Sequence, residues 1–273
     1  MITITSRQNP LVARFRAIAA GEAPDSLLLD GIHLVSEALD ATVQIQQAAI
    51  VADAAERPEL AHLADRLRRG GVDTVTVSAS VIGALSPVRS PSPIVAIATR
   101  PLEGQVYAST SPSLVVIAVD VQDPGNVGAI VRVAEAAGAS GFVAAGACAD
   151  PYTWKALRGS MGSALRLPIA IRPDSAAAVD EAKRHGCRVV ATAPRDGTSL
   201  FRVNLRGPVA IVIGGEGPGL AAVDLERADE RVTIPMQSPV ESLNTAVTAA
   251  LVAYEARRQR RLTPEASSLK SEV

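Results

Sequence analysis

Residues that could do chemistry are concentrated in three polar or glycine-rich loops, at 123–132, 213–220 and 234–244. Each loop follows an apolar run typical of a β-strand and leads into a pattern typical of a helix. Ligands of α/β proteins usually bind where strands end. Three such turns in one half of the chain therefore predict a single composite site.

The first loop, DPGNVGAIVR, places Asn126 before a helix and Arg132 among residues that are almost all Ala, Val, Ile or Gly. Asn126 could simply cap the helix, because its side-chain oxygen can accept an unpaired backbone N–H. Arg132 could form a surface ion pair with Glu135, which stabilises a helix by roughly a few tenths of a kcal/mol. The alternative for both residues is a catalytic role, and the loop alone leaves both interpretations open.

The second loop, IGGEGPGL, has glycines at 214, 215, 217 and 219 and a single carboxylate, Glu216. Glycines let a backbone approach a phosphate or an adenosine closely. The spacing matches neither a P-loop nor a dinucleotide fingerprint. Because Glu216 would repel a phosphate, a neutral or cationic ligand is expected. The third loop, IPMQSPVESLN, ends at Ser242 and Asn244, whose positions are typical of helix caps.

Composition limits the class of protein. Hydrophobic residues make up 48% of the 273 residues, enough for a buried core, and the formal net charge is −1. Any nucleic-acid binding must therefore use local basic patches. Two cysteines and three scattered histidines form no metal-site spacing and no disulfide framework, so no metal is expected. No run spans a bilayer and the N-terminus lacks a signal peptide's apolar core, so a soluble, cytoplasmic protein without membrane contact is expected.

Strand-like and helical patterns alternate along the chain, which predicts the α/β class. In the first half we predict strands at 26–30, 48–52, 74–77 and 94–99, and helices at 5–20, 32–39, 58–69 and 78–85. In the second half we predict strands at 114–120, 142–145, 167–171, 188–193, 209–214 and 232–235, and helices at 127–137, 152–161, 175–185 and from 244.

The composition also predicts domain boundaries. Residues 101–113 are rich in Pro, Gly, Ser and Thr and are predicted as a linker. They separate an N-terminal α/β domain, 1–100, from a second domain, 114–262. The polar tail, 263–273, is expected to be disordered.

Together the three loops resemble the signature motifs of the SpoU (TrmH-like) RNA 2′-O-ribose methyltransferases, in the SPOUT class. The first motif is NVGAIVR, ending at Arg132; the second is GGEGPG, at 214–219; the third combines IPM, from Ile234, with the SLN that ends at Asn244. Their order and separation match the family over roughly 114–261. The first half is similar, more loosely, to the RNA substrate-binding domain that many members carry. Pro239 and Glu241 depart from the small residues common in relatives.

The resemblance implies a C-terminal SPOUT α/β-knot domain, with a deep trefoil knot, preceded by a smaller N-terminal α/β substrate-binding domain. General topology rules argue against a knot, so this expectation depends on the family alone. Members bind S-adenosyl-L-methionine with the second and third motifs and are typically homodimers whose active site combines both protomers. By position, the cofactor-binding residues are Gly214, Gly215, Gly217, Ile234, Met236, Leu243 and, at a strand end, Thr192.

The same resemblance implies the catalytic residues. The sulfonium methyl donor is already activated, so the protein mainly has to position the acceptor ribose. Family proposals make Arg132 the base, but arginine is effectively always protonated. We therefore expect Arg132 to bind the adjacent phosphate and stabilise the developing alkoxide. Asn126, Ser242 and Asn244 would orient the ribose and the loops, and Glu216 would hold the site together or accept a proton through water.

The expected function is S-adenosylmethionine-dependent 2′-O-methylation of ribose in RNA. Ribosomal RNA is the preferred substrate, because tRNA-directed relatives usually lack so large an N-terminal domain, and tRNA is the alternative. Two other classes remain open: a non-catalytic RNA-binding protein with the same fold, and a small-molecule α/β enzyme that uses the glycine loop.

Overall fold

The computed structural model describes residues 3–108, 112–217 and 219–261. The strands are β1 (Thr3–Ile4), β2 (Ser26–Asp30), β3 (Ile45–Val51), β4 (Asp73–Val77), β5 (Ile94–Thr99), β6 (Leu114–Val119), β7 (Gly141–Ala145), β8 (Ile169–Arg172), β9 (Arg188–Thr192), β10 (Thr198–Ser199), β11 (Val209–Gly214) and β12 (Glu230–Thr233). The α-helices are α1 (Pro10–Ala19), α2 (Ile32–Asp40), α3 (Pro58–Arg69), α4 (Ala79–Leu85), α5 (Pro124–Ala137), α6 (Trp154–Ser160), α7 (Ser175–Arg184), α8 (Ala222–Arg227) and α9 (Thr245–Arg261).

The chain divides into two compact units. The first comprises Met1–Leu102 and Tyr152–Arg166, and the second comprises Glu103–Pro151 and Leu167–Val273. The helix α6 therefore belongs with the first unit, where it contacts β2, although it lies between strands of the second in sequence. The predicted boundaries at 100 and 113 stay a prediction, and the predicted disordered tail lies outside the described residues.

The first unit is built on a five-stranded sheet in the order β1-β4-β3-β5-β2. Strands β1, β4 and β3 run parallel, and β5 runs antiparallel to both of its neighbours. The helix predicted over 5–20 begins only at Pro10, because Asn9 caps it by accepting a hydrogen bond from the backbone N–H of Leu11 at 3.0 Å. The preceding residues instead form the short strand β1 beside β4.

The second unit contains a seven-stranded parallel sheet in the order β10-β12-β9-β11-β6-β7-β8. Every residue of the central strands β6 and β11 is buried, which explains their continuous apolar sequences. Because all seven strands run in one direction, their carboxyl ends lie at one edge of the sheet. The three loops that the sequence singles out follow β6, β11 and β12, so the sheet gathers them at that edge.

Two long helices, α5 and α9, pack against each other in this unit. Helix α5 ends at Gly138, whose left-handed conformation (φ 81°) closes it as predicted. Small buried residues on α9 allow the close approach: Ala249, Val252, Ala253 and Ala256.

The predicted strands and helices are all present, with ends shifted by a few residues. The short strands β1 and β10 and helix α8 were not predicted. No helix within 3–108, 112–217 or 219–261 is both long and apolar enough to cross a membrane.

Candidate active site

A cavity of about 360 Å³ opens at the carboxyl edge of the second unit's sheet. Its walls come from the loops that follow β9, β11 and β12 and from the beginning of α9. The structure brings together around it all seven residues that the sequence predicts for cofactor binding: Gly214, Gly215, Gly217, Ile234, Met236, Leu243 and Thr192. Its volume lies within the range of small-molecule sites, roughly 300–1,000 Å³.

The glycine loop is tightly folded on itself. A Cβ atom on Gly214 would lie 2.5 Å from the backbone of Gly219, and one on Gly215 would overlap the carbonyl oxygen of Asp120. No side chain fits at either position. Gly217 differs, since a Cβ there would meet nothing within 4 Å but the residue has φ +90°. Backbone conformation, rather than close contact within the protein, therefore accounts for glycine at 217.

The wall of the cavity is mainly apolar, with one charge. Aliphatic side chains come from several strands and loops, and Glu216 is the single charged side chain among the described lining residues. Among the described residues, no arginine or lysine lines the cavity, so a polyphosphate would find no cationic partner there. A ligand that offers apolar surface and is neutral or positively charged is compatible with these walls.

Residues from all three loops are joined by hydrogen bonds. The Nδ2 atom of Asn126 donates to a carboxylate oxygen of Glu216, and its Oδ1 atom accepts from Nδ2 of Asn244 at 3.2 Å. Glu216 and Asn244 both line the cavity. This network positions the three loops relative to one another, and a carboxylate held by an amide can orient a hydroxyl or accept a proton through water.

The capping roles differ from the simplest sequence interpretation. Asp123, not Asn126, caps α5: its Oδ1 atom accepts from the backbone N–H of Asn126 at 2.8 Å. The interpretation of Asn126 as a helix cap is therefore wrong, because that residue already lies inside the first turn. Asn244 does cap α9, accepting from the backbone N–H groups of Ala246 at 2.9 Å and Val247 at 3.3 Å. Ser242 is exposed and lines the cavity without capping the helix.

Thr245 is a site residue that the sequence did not single out. It is 6% exposed, lines the cavity, and its hydroxyl donates to the carbonyl oxygen of Gly214 at 2.9 Å. This bond joins the first turn of α9 to the glycine loop. The sequence signal that could have identified Thr245 is a hydroxyl side chain directly after the motif residue Asn244.

Arg132 is exposed on α5 and does not line the cavity. Within the described part of the chain it makes no hydrogen bond or ion pair, so the surface pair with Glu135 is not what holds it. Six residues along a helix correspond to about 120° around the axis and roughly 9 Å along it. Arg132 therefore projects to a different side of α5 from Asn126.

Neither cysteine has the properties of a nucleophile. Burial raises the pKa of Cys148, which follows β7, to about 12. Burial also raises the pKa of Cys187 above its ordinary value. Both thiols stay protonated at neutral pH, when only a thiolate would react.

Comparisons with known proteins agree with this geometry. The SpoU rRNA Methylase family matches residues 113–254. An uncharacterised tRNA/rRNA methyltransferase of Synechocystis sp. is 34% identical over 263 residues, 94% of each chain. The 23S rRNA (guanosine(2553)-2′-O)-methyltransferase RlmP of Bacillus subtilis is 31% identical over 234 residues, 85% of this chain and 89% of its own.

The structure also resembles the crystal structure of an AdoMet-bound rRNA methyltransferase from Sinorhizobium meliloti. The TM-score is 0.83 at 27% identity, over 94% of this chain and 97% of that one. The predicted fold class, a SPOUT α/β-knot domain with a smaller N-terminal α/β domain, is confirmed by this similarity. The motif resemblance is likewise confirmed, and the chain belongs to the SpoU rRNA methylase family.

Proposed function

We propose that this protein transfers the methyl group of S-adenosyl-L-methionine to the 2′-hydroxyl of a ribose in ribosomal RNA. The observation that carries the proposal is the cavity of about 360 Å³ whose one charged lining residue in the described part of the chain, Glu216, is hydrogen-bonded to Asn126 of another motif. The B. subtilis relative is named as a 23S rRNA 2′-O-methyltransferase and the S. meliloti neighbour is described with AdoMet bound, which supports both substrate and cofactor.

The cavity residues suit this cofactor. Ile234 and Leu243 offer apolar surface to an adenine ring, and the backbone at 214–217 can approach a ligand closely because it carries almost no side chains. Glu216 offsets a positive sulfonium charge. When bound, the sulfonium supplies an already activated methyl group, so the chain's own residues need only bind, orient and exclude water.

Arg132 is proposed to bind the phosphate next to the target ribose and to stabilise the alkoxide that forms during attack. Arg132 projects from α5 about 120° away from Asn126, which argues against a role for Arg132 at the cavity of its own protomer. We therefore place it in the active site of the second protomer of a homodimer.

A stripe on α9 supports the dimer. Val247, Leu251 and Tyr254 are 46%, 41% and 49% exposed and follow i, i+4, i+7 spacing, so they share one face of the helix. The opposite face of α9 packs on α5, the helix that carries Arg132. We propose that a second copy seated on this stripe also reaches Arg132, which is exposed on that neighbouring helix. The first unit is proposed to bind the RNA substrate.

The test is methyl transfer from tritiated S-adenosylmethionine to total RNA from cells that lack the gene, followed by separation of rRNA and tRNA. We expect label in rRNA, resistant to alkaline cleavage at one position. Label confined to tRNA would favour the alternative substrate, and no label would favour a non-catalytic RNA-binding protein. Calorimetry with S-adenosylmethionine against ATP tests the pocket separately, and tighter binding of ATP would contradict the cofactor assignment.

A further inference from the structure

Phe201 is an exposed aromatic residue to which the proposed function assigns no role. The chain has three phenylalanines. Phe15 and Phe142 are fully buried, at 0% exposure, whereas Phe201 is 73% exposed. Single exposed apolar residues are common on protein surfaces, so exposure carries no conclusion alone. The position of Phe201, the fixing of its backbone and the charges beside it are what distinguish it.

Phe201 follows β10, the strand beside the one that leads into the cofactor cavity. Strands β10 and β12 pair in parallel with Ser199 opposite Thr233, and the backbone N–H of Leu200 donates to the carbonyl of Thr233 at 2.9 Å. The residue after Thr233 is Ile234, which lines the cavity. The turn that carries Phe201 therefore leaves the sheet at the same carboxyl edge as the cavity.

The backbone around Phe201 is held on both sides. On the strand side, Ser199 accepts hydrogen bonds at its carbonyl from the backbone N–H groups of Arg202 at 2.8 Å and Val203 at 3.1 Å. On the helix side, the buried amide of Gln259 donates to the carbonyl of Val203 at 2.8 Å. A side chain presented from a turn fixed in this way loses little backbone freedom on binding a partner.

Exposed arginines lie close to Phe201 in the sequence. Arg202 is exposed and, among the described residues, forms no ion pair. Arg195 is 71% exposed and pairs with Glu241 at 2.9 Å, one residue before the cavity residue Ser242. An aromatic face for bases beside cations for phosphates is the combination by which proteins hold single-stranded nucleic acid.

We propose that Phe201 stacks on an unpaired base of the RNA substrate while Arg202 contacts a neighbouring phosphate. This inference rests on the proposed function and deepens it, because it makes the substrate region single-stranded near the target ribose. Bases inside an RNA duplex do not offer their faces to a side chain, whereas bases in loops and bulges do.

The experiment compares full-length wild type with Phe201→Ala, Phe201→Leu and Phe201→Trp. Methyl transfer from tritiated S-adenosylmethionine is measured against the concentration of total rRNA from cells lacking the gene. Loss of one stacked base weakens binding about tenfold or more. We expect that increase in the half-saturating RNA concentration for Ala and Leu, a near-wild-type value for Trp, and unchanged affinity for S-adenosylmethionine. Ile171→Ala is the control for loss of a surface apolar side chain, because Ile171 is 44% exposed on β8, at the opposite edge of the sheet from β10.

Three outcomes would overturn the inference while leaving the proposed function intact. The first is a half-saturating RNA concentration for Phe201→Ala equal to that of wild type, and the second is a wild-type value for Phe201→Leu. The third is a lower molecular mass of Phe201→Ala in light scattering, which would place the ring between two copies of the chain. Absence of methyl transfer by the wild-type protein would overturn the proposed function and this inference with it. A separate variant, Arg202→Gln, should reduce the salt dependence of RNA binding by about one phosphate contact.

Discussion

At the scale of single residues, Arg132 carries the catalytic hypothesis. It stands exposed on a helix whose residues are mostly Ala, Val, Ile or Gly. If it binds phosphate and stabilises the developing alkoxide, Arg132→Ala should slow single-turnover methyl transfer by roughly a hundredfold or more. Arg132→Lys should also be slow, because lysine keeps the charge but loses the planar fork.

Binding of S-adenosylmethionine should stay unchanged in both variants, since Arg132 does not line the cavity. Arg227→Ala is the control, because Arg227 is an exposed arginine of the same unit that pairs with Asp180 at 3.5 Å. Near-wild-type turnover of Arg132→Ala would remove the main catalytic assignment.

Gly217 tests the glycine loop. Its φ of +90° is a conformation that side-chain-bearing residues rarely adopt, although the space around it is open. We expect Gly217→Val to distort the loop and weaken S-adenosylmethionine binding by about tenfold or more, since such strain costs roughly 1–3 kcal/mol. Gly186→Val is a matched control: Gly186 has φ +74° and equally open surroundings but does not line the cavity. Equal cofactor affinity in the two variants, measured by calorimetry, would contradict the placement of the site.

At the scale of elements, the end of α9 is attached to the loop between β10 and β11. Gln259 is 6% exposed, and its amide donates to the carbonyl of Val203 at 2.8 Å and accepts from the N–H of Leu205 at 2.7 Å. Arg260 donates to the carbonyl of Leu205 at 3.0 Å and to that of Gly207 at 2.6 Å. These bonds attach the end of the final helix to that loop.

Replacing Gln259 by leucine keeps a similar volume but leaves two buried backbone groups without partners. Each such group costs roughly 1–3 kcal/mol. We expect Gln259→Leu to lower the free energy of unfolding by roughly 2–4 kcal/mol in urea titrations. The exposed Gln8→Leu should change stability little. A Gln259→Leu protein as stable as wild type would show that the attachment is dispensable.

The pairing between β8 and α7 should make stability depend on pH. Hydrogen bonds from Arg172 hold the pKa of Glu181 below its ordinary value of 4.5. A lowered pKa in the folded state means that the stabilisation is complete above about pH 4.5 and is lost as the pH falls through the folded value. We expect the free energy of unfolding to decrease with acidification in that range, and to decrease less in Glu181→Gln. Parallel pH profiles for the two proteins would assign the acid sensitivity to other groups.

At the scale of the whole molecule, the proposed dimer predicts complementation. Arg132→Ala lacks the residue given to the partner's site, and Gly217→Val binds the cofactor more weakly in its own site, so the assay uses S-adenosylmethionine at a concentration too low to fill the weakened site. A mixed dimer would contain one intact composite site, so a coexpressed random mixture should recover about a quarter of wild-type methyl transfer. The same samples should show dimer mass in light scattering.

If Arg132 served its own protomer, no mixed dimer would hold an intact site and the mixture would stay inactive. Monomers with full activity would contradict both the interface on α9 and the shared site. Each protein alone is the control, and both should show far less methyl transfer than the mixture at that cofactor concentration.

The sequence alone was sufficient where structure depends on neighbouring residues. The bounds of β2, α3, β5 and β11 are those predicted, because their apolar runs and flanking turn residues are local signals. The three motif loops, the α/β class and the family were also predictable, since glycine and polar residues at strand ends mark a site by type and spacing.

Tertiary structure alone decided what depends on residues distant in sequence. The bonds of Asn126 join it to Glu216 and Asn244, which lie 90 and 118 positions away, so no local pattern could show that Asn126 makes these contacts instead of capping α5. Strand β10 has two residues and exists only because β12 pairs with it. The grouping of Tyr152–Arg166 with the first unit likewise depends on packing. Local preferences determine where an element forms, whereas the contacts that place one side chain beside another arise only when distant elements pack together.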